Sequence, residues 1–538
     1  MSNEFLNILR SPDNAVGAIE GTEFRFEENP NTPCPVKYKY VVDKNSARVI
    51  IHPSEAPVKY LKLRFRGDMS FIDKVYGEAW ARCSTTWFIE WRAVMPHRPL
   101  PWLFYCKDDN GKIGCYGVKT GADCFAFWQL DTHGITLVLN LTCGADGTDL
   151  KEPLTACEIV QYFSDDNANS FDVAKEFCGM LCENPVLPKA PIFGVNNWYW
   201  AYGDISFDKI LEETDYLIKM TNGTKNQPYE IIDDGWQYNR SATCPYIGGP
   251  WLPNERFGDM SKLVDEIHSR GAKAGIWFRP LLTMGNIPAE SIIDKGDSGG
   301  VVLDPSHPFT LNYVAESATR IRSWGFDLIK HDFSTYDMGM VPNENLNQLS
   351  DFIKRNRHFY DRTKTTATIV KNLYKTIQNA VGDAEVIGCN TFGHLVAGIH
   401  SAQRVGNDTS GRMFEWTRKQ GINSVMRLPQ NETFFNVDPD CAAFTEKVDA
   451  DLNLDFLEVC AITGMTTLAS VTPDILTDEQ MQRINKIFKM ADQNNLRYTI
   501  KNFDRNSNPD TFVSDTDEKQ YDWFKGYDGV RIIHTWTD

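Results

Sequence analysis

Four short stretches of this chain join apolar residues to charged ones: Ile231-Ile232-Asp233-Asp234, Ile276-Trp277-Phe278-Arg279, Leu328-Ile329-Lys330-His331-Asp332 and Arg404-Val405-Gly406-Asn407-Asp408. A carboxylate at the end of a buried strand has no packing role, and burying it unpaired is costly. It must face a polar site. Two carboxylates with cations beside them are what glycoside hydrolysis requires. One attacks the anomeric carbon and must stay ionised, which Lys330 beside it favours. The other gives a proton to the leaving oxygen and needs surroundings that raise its pKa. Asp332 fits the first role and Asp408 the second. The Asp233-Asp234 pair would accept hydrogen bonds from sugar hydroxyls. Trp198, Trp200 or Trp277 would stack on the apolar face of the ring.

Their neighbours read differently. His331 is out of phase with Lys330 and Asp332, so it is expected to pack behind the strand. Cys389 has no His or Lys motif to activate it and reads as a small pocket wall. Arg279 has two open readings, a salt bridge to a rim acid or a contact to a substrate carboxylate or sulfate. A metal-dependent hydrolase would need histidines at strand ends, and only His331 and His394 lie near any.

Such groups need a rim to stand on. Before about residue 185 the chain alternates apolar and polar positions, as in Val58-Lys59-Tyr60-Leu61-Lys62-Leu63-Arg64-Phe65. Period-two runs broken by turn residues predict an antiparallel β-sandwich over 1–185, closed by a helix over 172–181. The proline-rich segment Cys182 to Pro191 marks a boundary. Beyond it, strand patterns at 192–200, 229–236, 273–280, 326–333, 385–392, 402–409, 432–437 and 466–472 alternate mostly with helical stretches. That alternation predicts a (β/α)8 TIM barrel over 190–492, whose catalytic groups stand at the C-terminal ends of the strands. Residues 493–538, with Val530-Arg531-Ile532-Ile533-His534, predict a short β appendage.

At 538 residues the chain is too long for a single core. Its net charge of −17 argues against nucleic acid and anionic membranes as partners, since both need a basic surface. No run of about 18 apolar residues predicts a membrane span. The 13 cysteines are scattered without a CxxC pair, and Met1 to Arg10 lacks the pattern of a secretion signal. The expectation is a cytoplasmic protein with reduced thiols and a small carbohydrate as its partner. Its oligomeric state stays open, a homo-oligomer included.

In this order and at this spacing, the motifs resemble glycoside hydrolase clan D, and within it the family 36 α-galactosidases and their raffinose-synthase-like relatives. Ile232-Asp233-Asp234-Gly235-Trp236-Gln237 carries the resemblance most fully. Tyr76-Gly77-Glu78-Ala79-Trp80-Ala81-Arg82, Trp198-Tyr199-Trp200, Gly275-Ile276-Trp277, Val302-Leu303-Asp304-Pro305-Ser306, Lys330-x-Asp332, Arg404-x-x-x-Asp408 and Asp438-Pro439-Asp440 extend it along most of the chain. The resemblance implies a retaining exo-hydrolase of terminal α-galactosides, with Asp332 as nucleophile and Asp408 as acid/base. It implies that Asp233 and Asp234 bind O4 and O6, that Lys330 and Arg404 bind the O2 to O3 edge, and that Trp200 and Trp277 are pocket walls. Cys389 and Asn390 fall where the family distinguishes a free 2-hydroxyl from an acetamido group. No cofactor and no metal are implied. An α-N-acetylgalactosaminidase, a β-L-arabinopyranosidase, an α-galactosyl transferase and a non-catalytic galactoside-binding barrel are the alternatives.

The chain departs from the family at His331, at Arg279, at Gly406-Asn407-Asp408 in place of Ser-Asp-Asp, at Cys389-Asn390-Thr391-Phe392, and in its shortened C-terminus. These departures predict intact catalytic machinery in an altered pocket.

Overall fold

The computed structural model describes residues 4–21, 33–80, 99–238, 248–296, 300–339, 357–493, 497–505 and 508–526. The N-terminal part forms two antiparallel sheets. The strands are β1 (Asn14–Ile19), β2 (Tyr38–Val42), β3 (Ser46–Ile51), β4 (Val58–Arg66), β5 (Ile72–Gly77), β6 (Leu100–Pro101), β7 (Leu103–Asp108), β8 (Ile113–Val118), β9 (Phe125–Asp131), β10 (Gly134–Asn140) and β11 (Leu154–Phe163). They are ordered β1-β4-β10-β9-β6 in one sheet and β2-β3-β11-β8-β7-β5 in the other. Alternation makes the core: Ala47, Val49 and Ile51 of β3 are fully buried, while the residues between them are only partly so. Contacts such as Phe104 to Trp128, with ring centroids 5.9 Å apart, join the two sheets. A helix over Ser170–Leu181 follows, its first N–H groups capped by the Asn169 side chain.

The second part is built on a curled parallel sheet. Its strands are β12 (Phe193–Asn196), β13 (Tyr229–Ile232), β14 (Lys273–Phe278), and then, beyond a small antiparallel sheet of β15 (Leu282–Thr283), β16 (Ile292–Lys295) and β17 (Val301–Leu303), β18 (Leu328–His331), β19 (Glu385–Gly388), β20 (Ala402–Arg404), β21 (Asn436–Asp438), β22 (Cys441–Phe444) and β23 (Thr467–Val471). The order is β21-β20-β19-β18-β14-β13-β12-β23-β22. The edge strands β21 and β22 are consecutive in the chain, separated only by Pro439 and Asp440. Nearly every strand residue is buried, because the helices Phe207–Met220, Met260–Ser269, Pro308–Ser323, Thr366–Val381, Phe414–Met426, Ala450–Ile462 and Asp478–Gln493 are interleaved with the strands. Ser206, Asp259, Thr365 and Asp449 cap four of these helices.

The sequence reading locates the parallel strands but draws most of them too long at their C-terminal ends. Where it runs strands through 233–236 and 197–200, the chain has already left the ladder. Asp233 and Asp234 stand in a turn, and Trp198–Ala201 is a short helix. The small sheet β15–β17 and the helix Phe414–Met426 were not anticipated. The C-terminal appendage is a three-stranded antiparallel sheet of β24 (Thr499–Ile500), β25 (Thr511–Val513) and β26 (Glu518–Gln520). Val530 to His534, on which that expectation rested, lie outside the described residues, as do Ala81 and Arg82.

Candidate active site

Beyond the C-terminal ends of the parallel strands lies a pocket of about 460 Å³ of empty space, its open mouth included. It gathers Trp198, Tyr199, Asp233, Asp234, Trp277, Lys330, Asp332, Phe333, Cys389, Asn390, Arg404 and Asp408 from β12, β13, β14, β18, β19, β20 and the turns that follow them. Nine of the ten residues singled out from the sequence therefore share one cavity, Trp200 being the exception. Its indole N–H donates to Glu213 at 2.8 Å, on the helix Phe207–Met220. The cause is local. Residues two apart on a strand face the same way, but on a helix they diverge by about 200°. Because 198–201 is helical, Trp198 reaches the pocket and Trp200 does not.

Asp332 is 6% exposed and held by three N–H donors. Its Oδ1 accepts from the Asn390 amide at 2.6 Å and from the Phe333 backbone at 2.6 Å; its Oδ2 accepts from the Trp277 indole at 3.0 Å. Oδ1 has both lone pairs engaged, whereas Oδ2 keeps one free. Asp233 is equally enclosed. It accepts from Lys330 Nζ and Asn196 Nδ2, both at 2.7 Å, and from the backbone of Asp234 at 2.8 Å. Asp234 accepts from Gln237 at 2.6 Å. Burial is the largest influence on Lys330 and works against its charge, but the groups around it, Asp233 foremost, together outweigh that burial and the lysine pKa is raised. The lysine stays charged.

Arg404 is a buried hub. It meets Asp440 at 2.6 Å, Asp408 at 3.3 Å and Asp438 at 3.5 Å. Burial opposes its charge, and Asp440 is the largest of the influences that hold it on. Asp440 also accepts from the Thr409 backbone at 2.8 Å and from the Tyr199 hydroxyl, so it fixes the turn that carries Asp408. The Asp408 side chain is 55% exposed. The sequence reading placed Asp438 and Asp440 only as a motif and did not single out Tyr199 as a wall. The paired acids of Asp438-Pro439-Asp440, opposite an arginine, were the available signal.

Arg279 resolves to the salt bridge. Its Nε donates to Asp337 at 3.0 Å and its Nη2 to the other oxygen at 2.5 Å, with both side chains 1% exposed. The guanidinium lies 4.3 Å from the centre of the Phe333 ring. His331 packs behind its strand against Tyr374 and His400, and burial pushes its pKa down to about 3. Phe333, Asn390 and Asp440, none of them glycine, have left-handed φ of 62°, 37° and 72° just past strand ends, and Tyr202, with φ of 46°, ends the short helix Trp198–Ala201. Such conformations cost about 1–3 kcal/mol each and cluster at functional sites. Among the described residues no group of His, Cys, Asp and Glu has the arrangement to hold a metal ion, and no helix is long and apolar enough to cross a membrane.

No family model matches the sequence. Among curated proteins, the bifunctional α-galactosidase/sucrose kinase AgaSK of Mediterraneibacter gnavus is 23% identical over 133 residues, 24% of this chain and only 14% of that protein. Solved structures match far more of the chain. The α-galactosidase TtGalA from Thermus thermophilus, in complex with p-nitrophenyl α-D-galactopyranoside, superposes with a TM-score of 0.59 at 16% identity over 90% of this chain and 99% of its own. The family 36 α-galactosidase AgaA from Geobacillus stearothermophilus gives 0.58 at 14% identity over 85% of this chain and 67% of its own. The galactosidase domain of AgaSK gives 0.57 at 15% over 85% and 66%. The chain has the fold of the family 36 α-galactosidases.

Proposed function

We propose that this chain is a retaining exo-glycoside hydrolase that cleaves terminal α-galactosidic linkages by double displacement. The observation that carries the reading is one pocket in which an enclosed, acceptor-only carboxylate, Asp332, shares a cavity with a solvent-facing one, Asp408, above the Asp233-Asp234-Lys330 cluster. In this reading β21 and β22 are two halves of one strand, so the parallel sheet closes into a (β/α)8 barrel. The chain divides into a sandwich over 1–185, a catalytic barrel over 190–492 and an appendage over 493–538. All eleven cysteines among the described residues are free, which supports a reducing compartment such as the cytoplasm.

In the first step Oδ2 of Asp332, the oxygen with a free lone pair, attacks the anomeric carbon. The bond to the leaving oxygen breaks, and Asp408 supplies the proton to it. Asp408 faces solvent, 3.3 Å from Arg404, and a substrate closing over it would supply the burial that favours a protonated carboxyl. Once the glycosyl-enzyme forms, the charge on Asp332 is gone and Asp408 ionises more readily. It then takes a proton from the incoming water, which attacks the same carbon and frees Asp332. Asp233 and Asp234 accept from O4 and O6, Lys330 and Arg404 donate to the O2 to O3 edge, and Trp277 walls the ring. Cys389 and Asn390 border the 2-position. Trp198 stands at the wall in place of Trp200, which the family resemblance had implied.

A panel of aryl α-galactoside, α-N-acetylgalactosaminide, β-L-arabinopyranoside and α-glucoside tests the substrate, with α-galactoside turnover expected. NMR should find the first-formed sugar with retained configuration, the outcome of double displacement. Exclusive cleavage of the α-glucoside, or an inverted first product, would overturn the reading.

A further inference from the structure

Of the two carboxylates, Asp408 is the one at the mouth, and a leaving group must lie against the acid that protonates it. A built surface adjoins the Asp408 pocket at Trp198. The half-buried Trp198, which lines the pocket, packs edge-on against the half-buried Tyr202, with ring centroids 5.6 Å apart. The guanidinium of Arg412, four residues past Asp408, lies 4.3 Å from the centre of the Tyr202 ring. The turn carrying Arg412 is held in place. Ser410 Oγ accepts from the N–H groups of Arg412 and Met413 at 3.0 and 3.3 Å, and Thr445 donates to the Gly411 carbonyl at 2.5 Å. A Cβ on Gly411 would sit 2.1 Å from the Tyr199 carbonyl. Only glycine lets this turn lie directly on the short helix that presents Trp198 and Tyr202.

The charge pattern adds a second observation. The chain has 72 Asp and Glu against 55 Lys and Arg, and Arg404, Arg279, Arg418 and Arg427 are all paired with acids. Exposed Arg412 has no carboxylate within ion-pair distance among the described residues. Stacked on an aromatic ring, a guanidinium keeps its N–H donors pointing outward in its own plane. A flat aromatic wall beside an outward fork of donors is suited to a sugar ring, which offers an apolar C–H face and vicinal hydroxyls.

We propose that Trp198, Tyr202 and Arg412 form a leaving-group subsite that takes a second sugar ring, with Arg412 as its specificity-determining residue. This rests on the reading of Asp408 as the acid. The test compares kcat/KM for an α-galactosyl disaccharide with that for α-galactosyl fluoride, whose leaving group is too small to occupy the subsite. In Arg412→Ala the ratio of disaccharide to fluoride should fall about 10- to 100-fold, the loss of one or two charge-assisted hydrogen bonds, and Arg412→Lys should restore part of it. Thermal melting confirms the fold. An unchanged ratio in Arg412→Ala overturns the subsite while leaving the α-galactosidase reading intact. Wild-type protein that turns over neither substrate overturns both. A loss confined to a carboxylate-bearing aryl galactoside would assign the subsite to an anionic leaving group and overturn the sugar.

Discussion

The two ends of the pocket are built on opposite principles. At the deep end Asp332 and Asp233 are buried, each held by three N–H donors, and the chain just past Asp332 turns through the left-handed Phe333. At the mouth the Asp408 side chain is 55% exposed, and its ion pair with Arg404 is at 3.3 Å. In the proposed reading the deep end is positioned before substrate arrives, since its hydrogen-bond donors are already in place and need no reorganisation. The mouth is left for the substrate to complete. A nucleophile must be ionised at all times, but an acid/base must change state within each turnover, and a group already fixed in one state cannot do that.

The largest effect should come from the deep end. Asp332→Ala should lower turnover by several orders of magnitude without unfolding the protein, because no core rests on a rim carboxylate. Azide should restore part of the rate by filling the space; retained activity without azide would break the comparison outright. Asp408→Ala sharpens it through leaving groups. Loss should be about 10²- to 10⁴-fold on a disaccharide, which needs a proton, and small on α-galactosyl fluoride, which does not. Equal losses would mean that Asp408 is not the acid.

A smaller effect should follow removal of one donor from the deep end. Asn390→Ala takes away the 2.6 Å amide contact to Asp332 Oδ1. Kcat should drop about 10- to 100-fold, as for other hydrogen bonds to charge, and equally for all leaving groups. A loss graded by leaving group would place Asn390 with the mouth instead.

The smallest effect concerns the support behind the floor. Glu213 accepts from Trp200, and burial pushes its carboxyl up to about 8, with Glu230 beside it raised as well. A carboxyl raised on folding contributes stability that is full below its unfolded pKa and lost as pH rises through the folded one. Tm should therefore fall between about pH 5 and 8, at a rate equivalent to at most about 1.4 kcal/mol per pH unit for each proton involved. Glu213→Gln, which mimics the protonated acid, should flatten that fall while leaving the contrast between Asp332 and Asp408 untouched. A Tm profile identical to wild type would remove the protonated pair from the support.

The sequence by itself determined the strand pattern and the acids. Short runs apolar on both phases can only be buried on both faces, so their charged ends must mark a rim, and Asp233, Asp234, Lys330 and Asp332 were legible from that; Asp408 was added as a further acid at a strand end, and Arg404 came with the family resemblance. It could not determine where each strand stops. A strand and the first turn of a helix after it carry the same residue types here, so Trp198 and Trp200 were equivalent on the page until the helix over Trp198–Ala201 turned them apart. The helix Phe414–Met426 was hidden because it is buried on nearly every side and carries Arg418, Gln420, Asn423 and Ser424, leaving no apolar stripe to read. Partner choice was likewise beyond reach. Arg279 had two equal readings until Asp337, 58 residues away, was brought against it. Which carboxylate is dry and which is wet depends on neighbours from several strands at once. Only the folded sheet brings those neighbours together.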